Sequence, residues 1–137
     1  MPLPRYHLLA STVLGLSLGG GRRLGASLAS GFLVDVDHLV DYLSAHRGRI
    51  VLPLHGWEFV PLWIALDRRL ALGGALAAGY TLHLAMDQLW NEKRSPLAYF
   101  LTYRASKRFA ERELGAVDPA LRHVWRRSSP RGLLRWL

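Results

Sequence analysis

Four segments of the chain carry side chains suited to hold a cation: Tyr6-His7; Asp35-Val36-Asp37-His38 with Asp41; His55-Gly56-Trp57-Glu58; and His83 with Asp87 and Asn91. The chain has no cysteine, so thiolate sites and disulfides are excluded. Imidazole and carboxylate without thiolate suit Zn²⁺ first, and also Mn²⁺ or Fe²⁺. His83 and Asp87 stand at i,i+4, so both project from one helical face and can share an ion. His55 and Glu58, at i,i+3, can do the same. Asp35 and His38 share a face, whereas Asp37 and Asp41 point roughly the other way. On a regular helix only one of those two pairs can touch the ion, and the other would orient a ligand. The expected metal set is His7, Asp35, Asp37, His38, His55, His83 and Asp87, more than one ion requires, so one or two ions are expected. Glu58 or Asp41 would take the proton of a water that the metal acidifies. His46 and His123 read as solvated surface residues, and Asp67, beside two arginines, as a surface ion pair.

The elements that must position these groups read as helices. Apolar residues gather in four blocks, Leu8–Leu18, Leu24–Val34, Ile50–Leu66 and Leu70–Trp90, punctuated by basic residues, and no alternating strand pattern intervenes. Helix one is expected over Pro4–Leu18, ending at Gly19-Gly20-Gly21. Helix two follows over Leu24–Ala45, helix three over Val51–Leu66 with Pro53 in its first turn, and helix four over Ala71–Trp90. Ser95-Pro96 opens an amphipathic helix to about Leu114, and Asp118-Pro119 a short basic one. The fold class is therefore all-α: a small bundle of about four membrane-embedded helices over residues 1–94, followed by a basic amphipathic segment, 95–137. Helix four has the length needed to cross a bilayer, and the shorter helices would tilt. A soluble or peripheral bundle with an unusually apolar core is the rival. Arg22-Arg23 stands between the first apolar block and any cleavage site, the wrong order for a signal peptide.

Half of the 137 residues are hydrophobic and the net charge is +8, with 11 of the 18 Lys and Arg after Asn91. A basic segment interleaved with Tyr99, Phe100, Tyr103, Phe109, Trp125 and Trp136 suits an anionic membrane surface better than nucleic acid. In an up-down bundle, His7 and His55 lie near the starts of helices one and three, and Asp35–Asp41, His83 and Asp87 in the last halves of helices two and four. All then fall in one layer, ~5–15 Å from a common side at the helical rise. The excess of positive charge places that side in the cytoplasm of a bacterial inner membrane.

The order of these motifs resembles the bacterial inner-membrane metal-dependent hydrolase family, sometimes described as LexA-binding. The resemblance rests on Tyr6-His7, Val34-Asp35-Val36-Asp37-His38, His46-Arg47-Gly48 leading to His55, and His83-Leu84-Ala85-Met86-Asp87, over about residues 5–91. Val34 stands where the family's block has proline, and Gly56 where its common form has serine. A divergent subgroup with a Leu-His-Gly-Trp-Glu block and a Tyr-Phe-x-x-Tyr-Arg tail is closer to Leu54–Glu58 and Tyr99–Arg104. The resemblance implies metal-dependent hydrolysis at the membrane, with a phosphoester or lipid-linked substrate at the cytoplasmic leaflet. A non-catalytic membrane module, in which His and Asp hold a structural ion or hydrogen bonds, is the alternative. Nucleic-acid or protein binding by the basic tail is a third.

Overall fold

A computed structural model of the chain describes residues 4–40 and 49–116. Helix α1 (Pro4–Ser17) ends where Gly19, Gly20 and Gly21 take positive φ, letting the chain reverse into α2 (Gly21–Gly31). The expected helix two, Leu24–Ala45, is not continuous, and its residues 41–45 lie outside the described residues. It breaks at Phe32, tightens into a 3₁₀ turn over Leu33–Asp37, and is helical again over residues 38–40. The expected helix three also starts late. Residues 49–56 are non-helical, with a turn at Pro53-Leu54 in which the His55 N–H donates to the Leu52 carbonyl. Trp57–Phe59 form a 3₁₀ turn, and α3 spans Val60–Leu70 with a proline in its first turn. Pro53 therefore lies in the Pro53-Leu54 turn, ahead of the helix. Helix α4 (Ala75–Trp90) has 16 residues, because Gly73 and Gly74, both at positive φ, turn the chain where the apolar block predicts helix.

The single amphipathic helix expected from Ser95 to Leu114 is three short pieces: a 3₁₀ turn Pro96–Tyr99, α5 (Leu101–Ser106) and α6 (Glu111–Leu114). Arg108 and Phe109, consecutively in the left-handed region, end it. The described residues contain no strand, only isolated bridges between Arg49 and Ala110 and between Lys93 and Ala116. The architecture is all-α.

Helices α1, α2 and α4 pack against one another, and α3 lies against α4. The first three meet through small residues. A Cβ on Gly79 would stand 2.6 Å from Ser30 Oγ and 2.7 Å from the Ser27 carbonyl, and one on Gly31 would overlap Ser11 Oγ. Such close backbones bring α2 and α4 within reach of a shared side chain. Above this trio, Val34, Tyr80, Leu84 and Tyr99 form one core cluster, and Ile50, Leu52 and Leu114 another. Residues 96–116 thus fold back onto the bundle.

Asp67 is not a surface ion pair. It is 3% exposed, and its carboxylate accepts from the N–H groups of Gly74, Leu76 and Ala77 at 2.6–3.2 Å, closing the first turn of α4. Among the described residues no helix is long and apolar enough to cross a membrane. The expected spanning helix four is cut short by the Gly73-Gly74 turn, so the membrane-embedded part of the expectation has no spanning helix behind it.

Candidate metal centre

Helix α4 supplies His83 and Asp87 from one face, one turn apart, and both side chains are buried. The first turns of α1 supply His7, whose Nε2 is 3.3 Å from Asp87 Oδ1 and whose ring stacks on that of His83. The 3₁₀ turn after α2 supplies the carboxylates. Because this turn winds more tightly than an α-helix, Asp35 and Asp37 both reach the same cluster, which a regular helix forbids. His38, at the turn's end, places Nε2 3.4 Å from Asp35 Oδ1. His55 follows the Pro53-Leu54 turn ahead of α3 and is fully buried.

Two structures hold His55 in place. Tyr80, buried in α4, donates through its hydroxyl towards the Leu54 and Gly56 carbonyls (2.6 and 2.7 Å) and accepts from the Gly56 N–H. Arg104, buried in α5, donates to the carbonyls of Leu52 and His55. Both clamps lie outside the expected site. The Tyr99–Arg104 block singled out in the sequence is the only signal that pointed to either.

The protonation pattern is set by what lies behind each ring. His83 Nδ1 is 2.9 Å from the Gly31 carbonyl, which can only accept, so Nδ1 carries the hydrogen and Nε2 presents a lone pair. His55 Nδ1 lies 2.8 Å from Asp37 Oδ1, and Asp37 Oδ2 accepts from the Leu54 N–H at 2.7 Å. The two Nε2 atoms then face each other at 2.9 Å. Each has Asp35 Oδ1 and Asp87 Oδ2 at 3.5–3.9 Å. Five separations among these four atoms are thus 2.9–3.9 Å, spacings compatible with ligands of one ion at bond lengths of ~2.1 Å.

Charge follows the same geometry. Burial opposes the charged form of His55, but Asp35 and Asp37 outweigh it and hold the ring's pKa at about 9. His83, with less carboxylate contact, is pushed down by burial to about 4. Burial opposes ionisation of Asp35 and Asp87 too, yet their histidine partners keep both well below the usual carboxylate range. Without an ion, therefore, the two facing nitrogens share one proton. Asp87 Oδ2 is buried with no hydrogen-bond donor among the described residues, and so is His7 Nδ1. A buried anionic oxygen left without a donor is costly; the nearest positive group among the described residues is the His55 ring, whose Nε2 is 3.5 Å away.

His7, His83 and Asp87 form one group able to hold a metal ion, and Asp35, His38 and His55 another. The structure thus brings His7, Asp35, Asp37, His38, His55, His83 and Asp87 together. Asp37 stands behind His55 rather than among the facing atoms. Glu58 is placed elsewhere: its carboxylate accepts from the Leu101 and Thr102 N–H groups and the Thr102 hydroxyl at 2.8–3.0 Å, capping α5. Burial nudges Glu58 upward, but these bonds hold its pKa at about 2, so it is a poor proton acceptor. The loop between residues 55 and 59 is the reason, since His55 and Glu58 do not share a helical face. Asp41, His46 and His123 lie outside the described residues. Comparison with protein-family models, curated proteins and solved structures returns no match, so the site is read from its own geometry.

Proposed function

We propose that the cluster is a divalent-cation centre and that the protein is a metal-dependent hydrolase of phosphoesters at a membrane surface. The observation that carries this reading is the buried Asp87 Oδ2, without a donor, opposite two Nε2 atoms, with His83 Nδ1 turned to the Gly31 carbonyl and His55 Nδ1 2.8 Å from the Asp37 carboxylate. His55, His83, Asp35 and Asp87 would hold the ion, with Zn²⁺ favoured over Mn²⁺ or Fe²⁺ by the compact N/O set. His7 and His38 complete two sets of two histidines and one carboxylate, an arrangement that also accommodates two ions. A divalent cation there supplies Lewis acidity and lowers the pKa of bound water.

The chain's own residues do the rest. Asp37 and the Gly31 carbonyl fix the tautomers of His55 and His83, while Tyr80 and Arg104 keep the His55 loop rigid. Asp35, with 18% of its side chain exposed where the other inner ligands are closed, marks the side from which substrate approaches. The near-complete burial of His55, His83 and Asp87 favours a second reading, a closed structural ion. The open Asp35 flank speaks for catalysis.

Three features support work at a membrane. Leu9, Val13, Leu16, Leu33, Val36 and Leu39 are each more than half exposed. The helices pack through Ser11 and Gly15, Ser27 and Gly31, and Ala75 and Gly79, the small-residue spacing that brings helices together in lipid. A net charge of +8 suits the anionic cytoplasmic leaflet of a bacterial inner membrane. The resemblance of the motif order to the inner-membrane hydrolase family, read from the sequence, is in keeping with this proposal.

Metal analysis of purified protein, with hydrolysis of aryl and lipid phosphoesters, tests the reading. We expect one or two ions per chain and activity abolished by chelation. Activity surviving the double substitution His83→Ala and Asp87→Asn overturns it, and stoichiometric metal without hydrolysis transfers support to the structural ion.

A further inference from the structure

Beside the centre, α1 and α4 enclose an open-sided groove of about 560 Å³. Its walls are apolar almost throughout, with Tyr6, Leu9 and Val13 on one side and Leu82, Met86 and Trp90 on the other. That volume lies within the ~300–1,000 Å³ of small-molecule sites. Tyr6 precedes His7, Leu82 precedes His83, and Met86 precedes Asp87. Successive helical residues point about 100° apart, so the turns that send ligands inward send groove walls out on the neighbouring face. One end of the groove is therefore level with the centre. From there it runs along α1 for ~10 Å to Val13 at the helical rise, and on beside Leu14 and Ser17. At the level end the exposed Arg5 guanidinium stands 5.2 Å from the Tyr6 ring centroid, and the exposed Arg94 follows α4.

We propose that this groove is an acyl-chain site, and that the substrate is an amphiphilic phosphoester whose tail lies between α1 and α4 while its headgroup reaches the metal centre. The charge distribution selects this occupant. An apolar trough that ends in a cation beside a cation-binding cluster complements a chain with an anionic head. A second copy docking through its own α1 and α4 would bring no such head to Arg5, since α1 carries no carboxylate and the one on α4, Asp87, is buried. The inference rests on the metal-centre reading, because it names the substrate class of that site.

The test measures equilibrium binding of monomeric dodecyl phosphate and of methyl phosphate to the full chain, metal-loaded and after chelation. Each buried methylene strengthens binding by roughly fourfold, so dodecyl phosphate should bind the loaded protein at least about a hundredfold more tightly than methyl phosphate. Val13→Trp fills the groove and should bring that ratio below about tenfold at unchanged metal content. Leu9→Gln, at a position 60% exposed, should do so through polarity. Leu16→Trp, equally exposed but outside the groove, should leave the ratio unchanged. Equal affinity of the wild-type protein for the two phosphates overturns the groove and leaves the metal centre standing. Dodecyl phosphate held equally well before and after chelation overturns the link to the centre. Light scattering that shows a dimer dissociated by Val13→Trp, with amphiphile binding unchanged, overturns the assignment in favour of a second copy.

Discussion

Asp37→Asn separates a residue that holds a ligand from one that is a ligand. Asp37 Oδ1 lies 2.8 Å from His55 Nδ1, and Oδ2 accepts the Leu54 N–H at 2.7 Å. Asparagine keeps the size and one acceptor oxygen but removes the charge. Losing a carboxylate behind a ligating imidazole costs about 10–100-fold in metal affinity. The same charge also helps to raise His55 to about 9. At pH 7 the ion must then displace a proton, a competition worth roughly a hundredfold over two pH units. Removing the charge lowers both quantities, so they offset each other at pH 7 and separate at pH 9. Zinc titration against a chromophoric chelator should show wild-type affinity rising about tenfold per pH unit from 7 to 9. The variant should follow a flatter slope, near wild type at pH 7 and ~10–100-fold weaker at pH 9. Parallel slopes would refute the reasoning. A pH-independent loss as large as that of Asp87→Asn would make Asp37 a ligand itself.

Asp67→Ala should cost ~2–3 kcal/mol in chemical denaturation, because it strips a buried carboxylate from three N–H groups of α4. A loss below ~0.5 kcal/mol would mean water replaces it. Metal-free protein should be most stable between the two histidine transitions. His55, raised from 6.5 to about 9, contributes stability in full below pH 6.5 and loses it as pH rises through 9. His83, depressed to about 4, contributes in full above pH 6.5 and loses it as pH falls towards 4. Melting temperatures of chelator-treated protein that stay flat from pH 4 to 10 would contradict both. Glu58→Gln should weaken the α5 cap by ~1 kcal/mol while metal content and turnover persist. A tenfold loss of turnover at full metal content would restore Glu58 as the proton acceptor.

The pair His83 and Asp87 was legible because i,i+4 spacing on an apolar block leaves little else for those side chains to do. The convergence of four segments was legible from topology, since helix direction alone puts His7, His55 and the ends of α2 and α4 at one side. Asp35 and Asp37 could not both be placed, because periodicity predicts α-helix and carries no mark of the 3₁₀ turn that aims them together. Asp67 misled for a related reason. Its neighbours Arg68 and Arg69 suggest an ion pair, but its partners are backbone N–H groups seven to ten residues ahead, across a turn set by Gly73 and Gly74. Helix lengths were overread wherever an apolar block ran through a turn, at Leu70–Ala75 and at Val51–Gly56. Arg104 and Tyr80 act through carbonyls of a loop, contacts that side-chain spacing does not encode; the Tyr99–Arg104 block marked Arg104 without saying what it holds.

The early end of α2 has a consequence for the chemistry of the ring across from it. In a continuing α-helix the Gly31 carbonyl would receive the Asp35 N–H, but that N–H goes to Phe32 instead, and the freed carbonyl takes His83 Nδ1. The choice of which imidazole nitrogen is basic has thus been delegated to where a neighbouring helix stops. A sequence change that never touches the site, such as one letting α2 grow by a turn, would bring the Asp35 N–H onto the Gly31 carbonyl in competition with His83 Nδ1 and weaken the bond that sets the tautomer.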